Sequence, residues 1–80
     1  MIVSYDNIAE AVYIKLKPEG KVARTVEVAP ETFVDLDKDG DLVGVELLNP
    51  GTLILRRLAK TYHRPELSRV NPEKLQEAVK

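Results

Sequence analysis

The chain has 80 residues, of which 44% are hydrophobic, and a formal net charge of −1. This length allows one small domain, and because a core of that size is marginally stable alone, we expect an oligomer or a partner surface. The near-neutral charge lacks the basic excess typical of a general nucleic-acid-binding protein. The absence of cysteine excludes a disulfide framework, a thiolate nucleophile and a zinc–thiolate site.

Hydropathy and the first residues of the chain bear on its location. No apolar run approaches the ~18 residues of a membrane-spanning helix. No signal peptide precedes the first strand-like residues. We therefore expect a cytoplasmic protein without a membrane partner.

The first half of the chain has the pattern of short strands. Residues 2–5, 11–16 and 22–28 predict three strands, and apolar and polar residues alternate along the second and third of them. Asp6-Asn7 and Lys17–Gly20 supply turn-forming residues between them.

Residues 33–48 predict a β-hairpin at the centre of the fold. Asp39-Gly40 between alternating apolar residues is a strong signal for a tight hairpin turn. A turn there puts the apolar residues of both strands on one face, and a slip of one residue would mix the faces. The predicted cross-strand pairs are Leu36 with Val43 and Val34 with Val45.

The character of the sequence changes after residue 51. Apolar residues recur at helical spacing over residues 52–62, with Thr52 as a candidate N-cap and His63-Arg64-Pro65 as the end of the helix. Asn71-Pro72-Glu73 predicts the start of a second, short helix.

These elements predict an α+β domain with an antiparallel β-meander of four to five strands followed by one or two C-terminal helices. We assign residues 1–49 to the sheet core. Residues 50–80 form a helical C-terminal extension of the same single domain.

Part of the hairpin also matches the pattern of a calcium-binding loop, with Asp35, Asp37, Asp39 and Glu46 at ligand positions. Such a loop needs a helix on each side, whereas both flanks here alternate like strands. In the hairpin, Glu46 lies opposite Phe33, about 13 Å from Asp37 at ~3.3 Å per residue. We therefore predict no metal site and no cofactor. A loosely held ion at the acidic turn, Asp37 to Asp41, stays open.

The sequence contains no evident catalytic constellation. His63 is the only histidine, and at a predicted helix end we interpret it as a surface or capping residue. Ser4 and Ser68 have no evident base partner. We therefore expect no catalytic residues and no enzyme activity. The alternative is a metal-dependent or acid–base enzyme that uses Asp35 and Glu46, two acids on the outward sheet face.

Two sets of residues suggest an interaction surface. Tyr13, Phe33 and Leu42 occupy outward sheet positions, and contiguous apolar surface on a small protein usually has a use. Arg56 and Arg57 belong to a cluster of cations that could meet an acidic partner or a phosphate backbone, or form a solvated helix face. The expected partner is a second copy of the chain or a small protein, with nucleic acid as the alternative.

Five stretches between residues 5 and 49 form one recognisable pattern: Tyr5-Asp6, Ala9–Leu16, Ala23–Val28, Val34–Gly40 and Leu42–Asn49. Together they resemble a family of small bacterial and archaeal proteins, the YuzE-like proteins of domain of unknown function 2283. Asn7-Ile8 departs from the family's usual Pro-Glu-type turn, and residues 50–80 lie beyond the family core.

The resemblance implies a small antiparallel sheet protein with no established activity. Some members are similar in gene context to one half of a two-protein module of toxin–antitoxin type. We therefore expect an uncharacterised, non-catalytic protein-protein interaction module, with an antitoxin-like role toward a small neighbouring protein as its specific form.

Overall fold

The computed structural model describes residues 1–48 and 52–71. The second helix, expected from Asn71-Pro72 onward, falls on residues outside this described part. The elements in chain order are β1 (Ile2–Asp6), β2 (Ala11–Lys15), β3 (Arg24–Ala29), β4 (Thr32–Leu36), β5 (Leu42–Leu47), α1 (Thr52–Thr61) and a 3-10 helix (Pro65–Arg69).

The five strands form one antiparallel sheet with the order β1-β2-β5-β4-β3. The α+β prediction of an antiparallel sheet followed by a C-terminal helix is therefore confirmed. Strands β3, β4 and β5 follow one another as neighbours, and the β1–β2 hairpin docks along β5. This order makes β1 and β3 the two edges of the described sheet.

One face of the sheet forms the core together with the C-terminal elements. Alternate residues of the central strands point to this face, and α1 and the 3-10 helix cover it. The core residues are Val12, Ile14, Val34, Leu36, Leu42, Val45, Leu47, Leu55, Leu58, Ala59, Leu67 and Val70. Five of these twelve follow residue 51, so the helical segment completes the core of the sheet.

The β4–β5 hairpin follows the predicted register from Val34↔Val45 to Phe33↔Glu46. Near the turn the prediction is wrong, because a bulge lets Leu36 pair with Leu42 instead of Val43. A bulge sets two residues against one and so reverses the alternation beyond it. Leu42 consequently joins the core cluster, and Val43, which the sequence pattern had placed there, is also buried at 1% exposure but lies outside that cluster.

The C-terminus of α1 confirms the capping interpretation of His63. This residue adopts a left-handed backbone conformation with φ 55°. The next residue, Arg64, donates its backbone N–H to the carbonyl oxygen of Ala59 at 2.9 Å. A left-handed residue followed by this hydrogen bond is the Schellman pattern that ends many helices. Within residues 1–48 and 52–71, no helix is long and apolar enough to cross a membrane.

Candidate functional site

The sheet face turned away from α1 carries a polar cluster that links four neighbouring strands. The Tyr13 hydroxyl on β2 donates to Asp35 Oδ2 on β4 at 2.7 Å. The Thr25 hydroxyl on β3 donates to the other carboxylate oxygen, Oδ1, at 2.6 Å. Both oxygens of Asp35 therefore accept a hydrogen bond from a hydroxyl group. We call Tyr13, Thr25, Asp35 and Gly44 the Tyr13 cluster.

Gly44 on β5 allows this cluster to form. Strand β5 lies between β2 and β4, so the ring of Tyr13 must cross it to reach Asp35. A Cβ atom on Gly44 would lie 2.6 Å from Cζ of Tyr13, well inside van der Waals contact. Because Gly44 has no side chain, the ring of Tyr13 can cross β5 and reach Asp35.

The electrostatics of the cluster favour a protonated tyrosine. Burial of the ring and the hydrogen bond to Asp35 raise the pKa of Tyr13 above its ordinary value, and the charges of Asp35 and Glu46 raise it further. At neutral pH the phenol is therefore a hydrogen-bond donor and not a base. Asp35 and Glu46 occupy diagonal positions on the same face, because Asp35 pairs with Gly44 and Glu46 with Phe33.

The acidic turn between β4 and β5 is organised by Asp37. Its Oδ1 accepts hydrogen bonds from the backbone N–H groups of Asp39 at 2.9 Å and Asp41 at 3.0 Å. The ammonium group of Lys17 lies 2.9 Å from Asp37 Oδ2 and 3.5 Å from Asp41 Oδ2. The hydrogen bond from Lys17, together with those from the backbone, lowers the pKa of Asp37.

This turn is flanked by two strands, as the hairpin interpretation of the calcium-loop match requires. The carboxylate of Asp37 is engaged by Lys17 and the backbone, and Glu46 lies opposite Phe33 as expected. Within the described ranges, 1–48 and 52–71, no group of three or more His, Cys, Asp and Glu side chains could hold a metal ion.

The residues predicted as one interaction surface lie in three different places. Tyr13 and Phe33 are partly buried on the outer face, on either side of Glu46. The prediction that Leu42 lies on that face is wrong, because the hairpin bulge turns it inward and leaves it 1% exposed. Arg56 and Arg57 are exposed on α1, in the layer on the opposite side of the sheet.

A groove that the sequence pattern does not predict lies between β3 and α1. It has a volume of about 200 Å³, and its lining residues are Val28, Ile54, Arg57, Leu58, Thr61 and Tyr62. We call it the β3–α1 groove. Val26 points to the same side of the sheet, because it pairs with the core residue Val34. Val26 and Val28 nevertheless remain 37% and 38% exposed.

The sequence contains a signal for this exposed edge. Arg24 stands among the valines on the inward face of β3, and an arginine on that face fits an edge strand better than a central one. The alternation of residues 22–28 indicated which residues share a face. It did not indicate that β3 has one strand neighbour in the described sheet.

Charge is unevenly divided along the chain. Residues 1–48 carry ten acidic and five basic side chains, whereas residues 52–71 carry one acidic and five basic ones. On α1, Arg56, Arg57 and Lys60 are exposed. The ion pairs found within residues 1–48 and 52–71 all involve Lys17, so the cations of α1 face solvent without a carboxylate partner from this part of the chain.

The fold and these surfaces define a small α+β protein whose open five-stranded antiparallel sheet is covered on one face by a helix. A family model described as protein of unknown function (DUF2283) matches residues 2–49, which is more than half of the chain, and the chain belongs to that family. The family resemblance of the sequence is thereby confirmed. No curated protein and no solved structure matches the chain.

Proposed function

We propose that this chain is a non-catalytic protein-interaction module that binds another polypeptide along β3. The observation that carries the proposal is the combination of an edge strand with two exposed valines beside α1. An edge strand presents unpaired backbone N–H and C=O groups that a strand from another chain can pair with.

The exposed valines give such pairing an apolar contribution. Full burial of a valine side chain is worth ~1.5–3 kcal/mol, so covering the exposed third of Val26 and Val28 contributes about 1–2 kcal/mol in total. The other edge is better covered, because Val3 and Tyr5 of β1 pack against the core. These two differences favour β3 over β1 as the binding edge.

The finer form of the proposal is an antitoxin-like role in which the partner is a small protein encoded beside this one. The resemblance to a family with two-protein modules of this kind supports it. A small cytoplasmic partner is also compatible with a small domain whose core cluster contains twelve buried residues within residues 1–48 and 52–71.

Light scattering coupled to gel filtration tests the proposal, on the pure chain and on the chain co-expressed with the product of the adjacent gene. We expect a complex in at least one arm. Val26→Lys should abolish that complex, because it puts a charge on the binding edge. The matched control Ile2→Lys, on the exposed edge β1, should leave the complex intact. A monomer in both arms, or a complex indifferent to Val26→Lys, would contradict the proposal.

The cations of α1 favour one second candidate, a nucleic-acid-associated regulator. Arg56, Arg57 and Lys60 are exposed without a carboxylate partner among the described residues and could contact phosphates. This candidate predicts binding to DNA or RNA that weakens steeply with salt and is lost in Arg56→Glu/Arg57→Glu. The acid–base enzyme is less favoured, because both oxygens of Asp35 already accept hydrogen bonds.

A further inference from the structure

We infer that the β3–α1 groove accepts an extended, acidic segment of a partner protein, whose strand pairs with β3 and places a carboxylate against Arg57. The inference rests on the proposed function and extends it, because it specifies the chemistry of the partner.

The groove lies where inward-pointing side chains of a strand added to β3 would be placed. A strand added to β3 lies about 4.8 Å beyond it, and every second side chain of the added strand points to the side where α1 lies. There these side chains meet Val28 and Ile54, an apolar surface that the described residues leave partly open above the buried Leu58. Apolar residues at alternate positions of the partner therefore fit this side.

Arg57 gives the groove its charge. Its side chain lines the groove and is exposed. Within residues 1–48 and 52–71 no carboxylate lies within ion-pair distance of it, since the ion pairs there belong to Lys17. A guanidinium group pairs well with a carboxylate through two parallel hydrogen bonds. The segment that complements this groove therefore carries an Asp or Glu among its inward-facing apolar residues.

A second copy of this chain is a poor occupant by the same criterion. The residues of β3 on the α1 side of the sheet include Arg24, Val26 and the groove residue Val28, whereas Glu27 pairs with Phe33 on the opposite face. An antiparallel pair of β3 strands would bring no carboxylate from either strand to the groove side. It would instead bring the Arg57 side chains of both copies to the same side of the dimer interface, where their like charges oppose association.

The length of the partner segment is limited by two features of β3. The pairing shifts between Glu27 and Ala29, where Val28 is bulged, and Pro30 follows. Bulges and prolines interrupt strand pairing at a sheet edge. The regular edge runs from Arg24 to Glu27, so we expect a short pairing segment of about four to six residues.

Two labelled octapeptides test the inference by fluorescence anisotropy. Both alternate threonine with valine, and one central valine is replaced by glutamate in the first peptide and by lysine in the second. We expect wild type to bind the glutamate peptide about tenfold more tightly, the effect of exchanging attraction for repulsion at one exposed ion pair. Arg57→Glu should reverse this preference.

The matched control is Arg56→Glu. Arg56 is adjacent in sequence, equally charged and exposed, but it lines a different groove with Ala59, Lys60, Pro65 and Ser68. The Arg56→Glu variant should keep the preference of wild type for the glutamate peptide. Val26→Lys should weaken the binding of both peptides, because it disturbs the edge strand β3 with which each peptide pairs.

The outcomes separate the two proposals. One outcome is that both peptides bind, that Val26→Lys weakens their binding, and that Arg57→Glu does not change their relative affinities. The edge-binding function then stands and the acidic partner is refuted. If neither peptide binds and light scattering finds a dimer that Val26→Lys abolishes, the occupant is a second copy. If neither peptide binds and no complex depends on Val26, both proposals fail.

Discussion

Replacing Tyr13 by phenylalanine removes the hydroxyl group that links β2 to β4 across β5. The lost contact is a hydrogen bond of 2.7 Å to Asp35 Oδ2. A hydrogen bond to a charged group contributes ~1.5–3 kcal/mol to stability. Because the tyrosine is partly exposed and Asp35 keeps its bond from Thr25, we expect Tyr13→Phe to cost about 1–2 kcal/mol.

Urea unfolding followed by circular dichroism measures this cost. With a slope of ~1 kcal/mol per molar urea for a small domain, the midpoint should fall by about 1–2 M. The control is Tyr5→Phe, since Tyr5 packs against the core and its hydroxyl makes no hydrogen bond within the described residues. Equal midpoints for Tyr13→Phe and Tyr5→Phe would refute a stabilising role for the bond to Asp35.

Gly44→Ala tests the same bond by a different route. The new methyl group would occupy the path of the ring, so Tyr13 must move and release Asp35. Tyr13→Phe should then cost less in the Gly44→Ala background than in wild type, because the bond it removes is already broken. Additive costs would mean that the tyrosine reaches Asp35 without crossing Gly44.

Stability at high pH supplies a third measurement of the cluster. Because the pKa of Tyr13 is raised in the folded state, its contribution is fully present below the ordinary tyrosine pKa of ~10 and is lost as pH rises through the higher folded value. Wild type should therefore lose stability above pH ~10. Tyr13→Phe should lack this component of the loss.

Three further predictions concern the hairpin and the helix end. Leu42→Ala should cost ~2–5 kcal/mol in urea unfolding, and Phe33→Ala less, because Leu42 is buried and Phe33 is partly exposed. His63→Gly should stabilise the protein by ~0.5–1 kcal/mol in thermal unfolding, since glycine adopts the left-handed conformation without strain; a loss of stability would contradict the capping role. Because the pKa of Asp37 is lowered in the folded state, its contribution is present above its unfolded value and is lost on acidification below pH ~4. Asp37→Asn should therefore lower the thermal midpoint at neutral pH and flatten its dependence on acid, whereas Asp39→Asn should behave as wild type.

Local pattern predicted most of the elements of this protein. The prediction for residues 52–62 agrees with α1 at Thr52–Thr61, because an amphipathic helix repeats its apolar residues every turn. The hairpin register from Val34 to Phe33 followed from the same kind of pattern, since one face of a strand had to be buried. Even His63 was interpreted correctly from its neighbours in sequence.

The 3-10 helix shows where local pattern gave too little. The sequence pattern predicted no element between the helix end at His63-Arg64-Pro65 and Asn71, yet the structure has a 3-10 helix at Pro65–Arg69 whose Leu67 is fully buried in the core. The apolar spacing of this short segment has no period that distinguishes it from a loop. Its burial depends on the position of the sheet to which Leu67 packs, and that position is not contained in the segment itself.

The spacing of apolar residues in this sequence determines the strands, α1 and the faces of their regular parts, because each such face depends on residues two to four positions apart. The tertiary structure decided the strand order, the bulge that pairs Leu42 instead of Val43 with Leu36, and the path of Tyr13 over Gly44 to Asp35. It also placed β3 at an edge of the described sheet, beside the β3–α1 groove. These features join residues from separate strands and from α1, and their proximity arises when the whole sheet packs against the helix, which no window of neighbouring residues encodes.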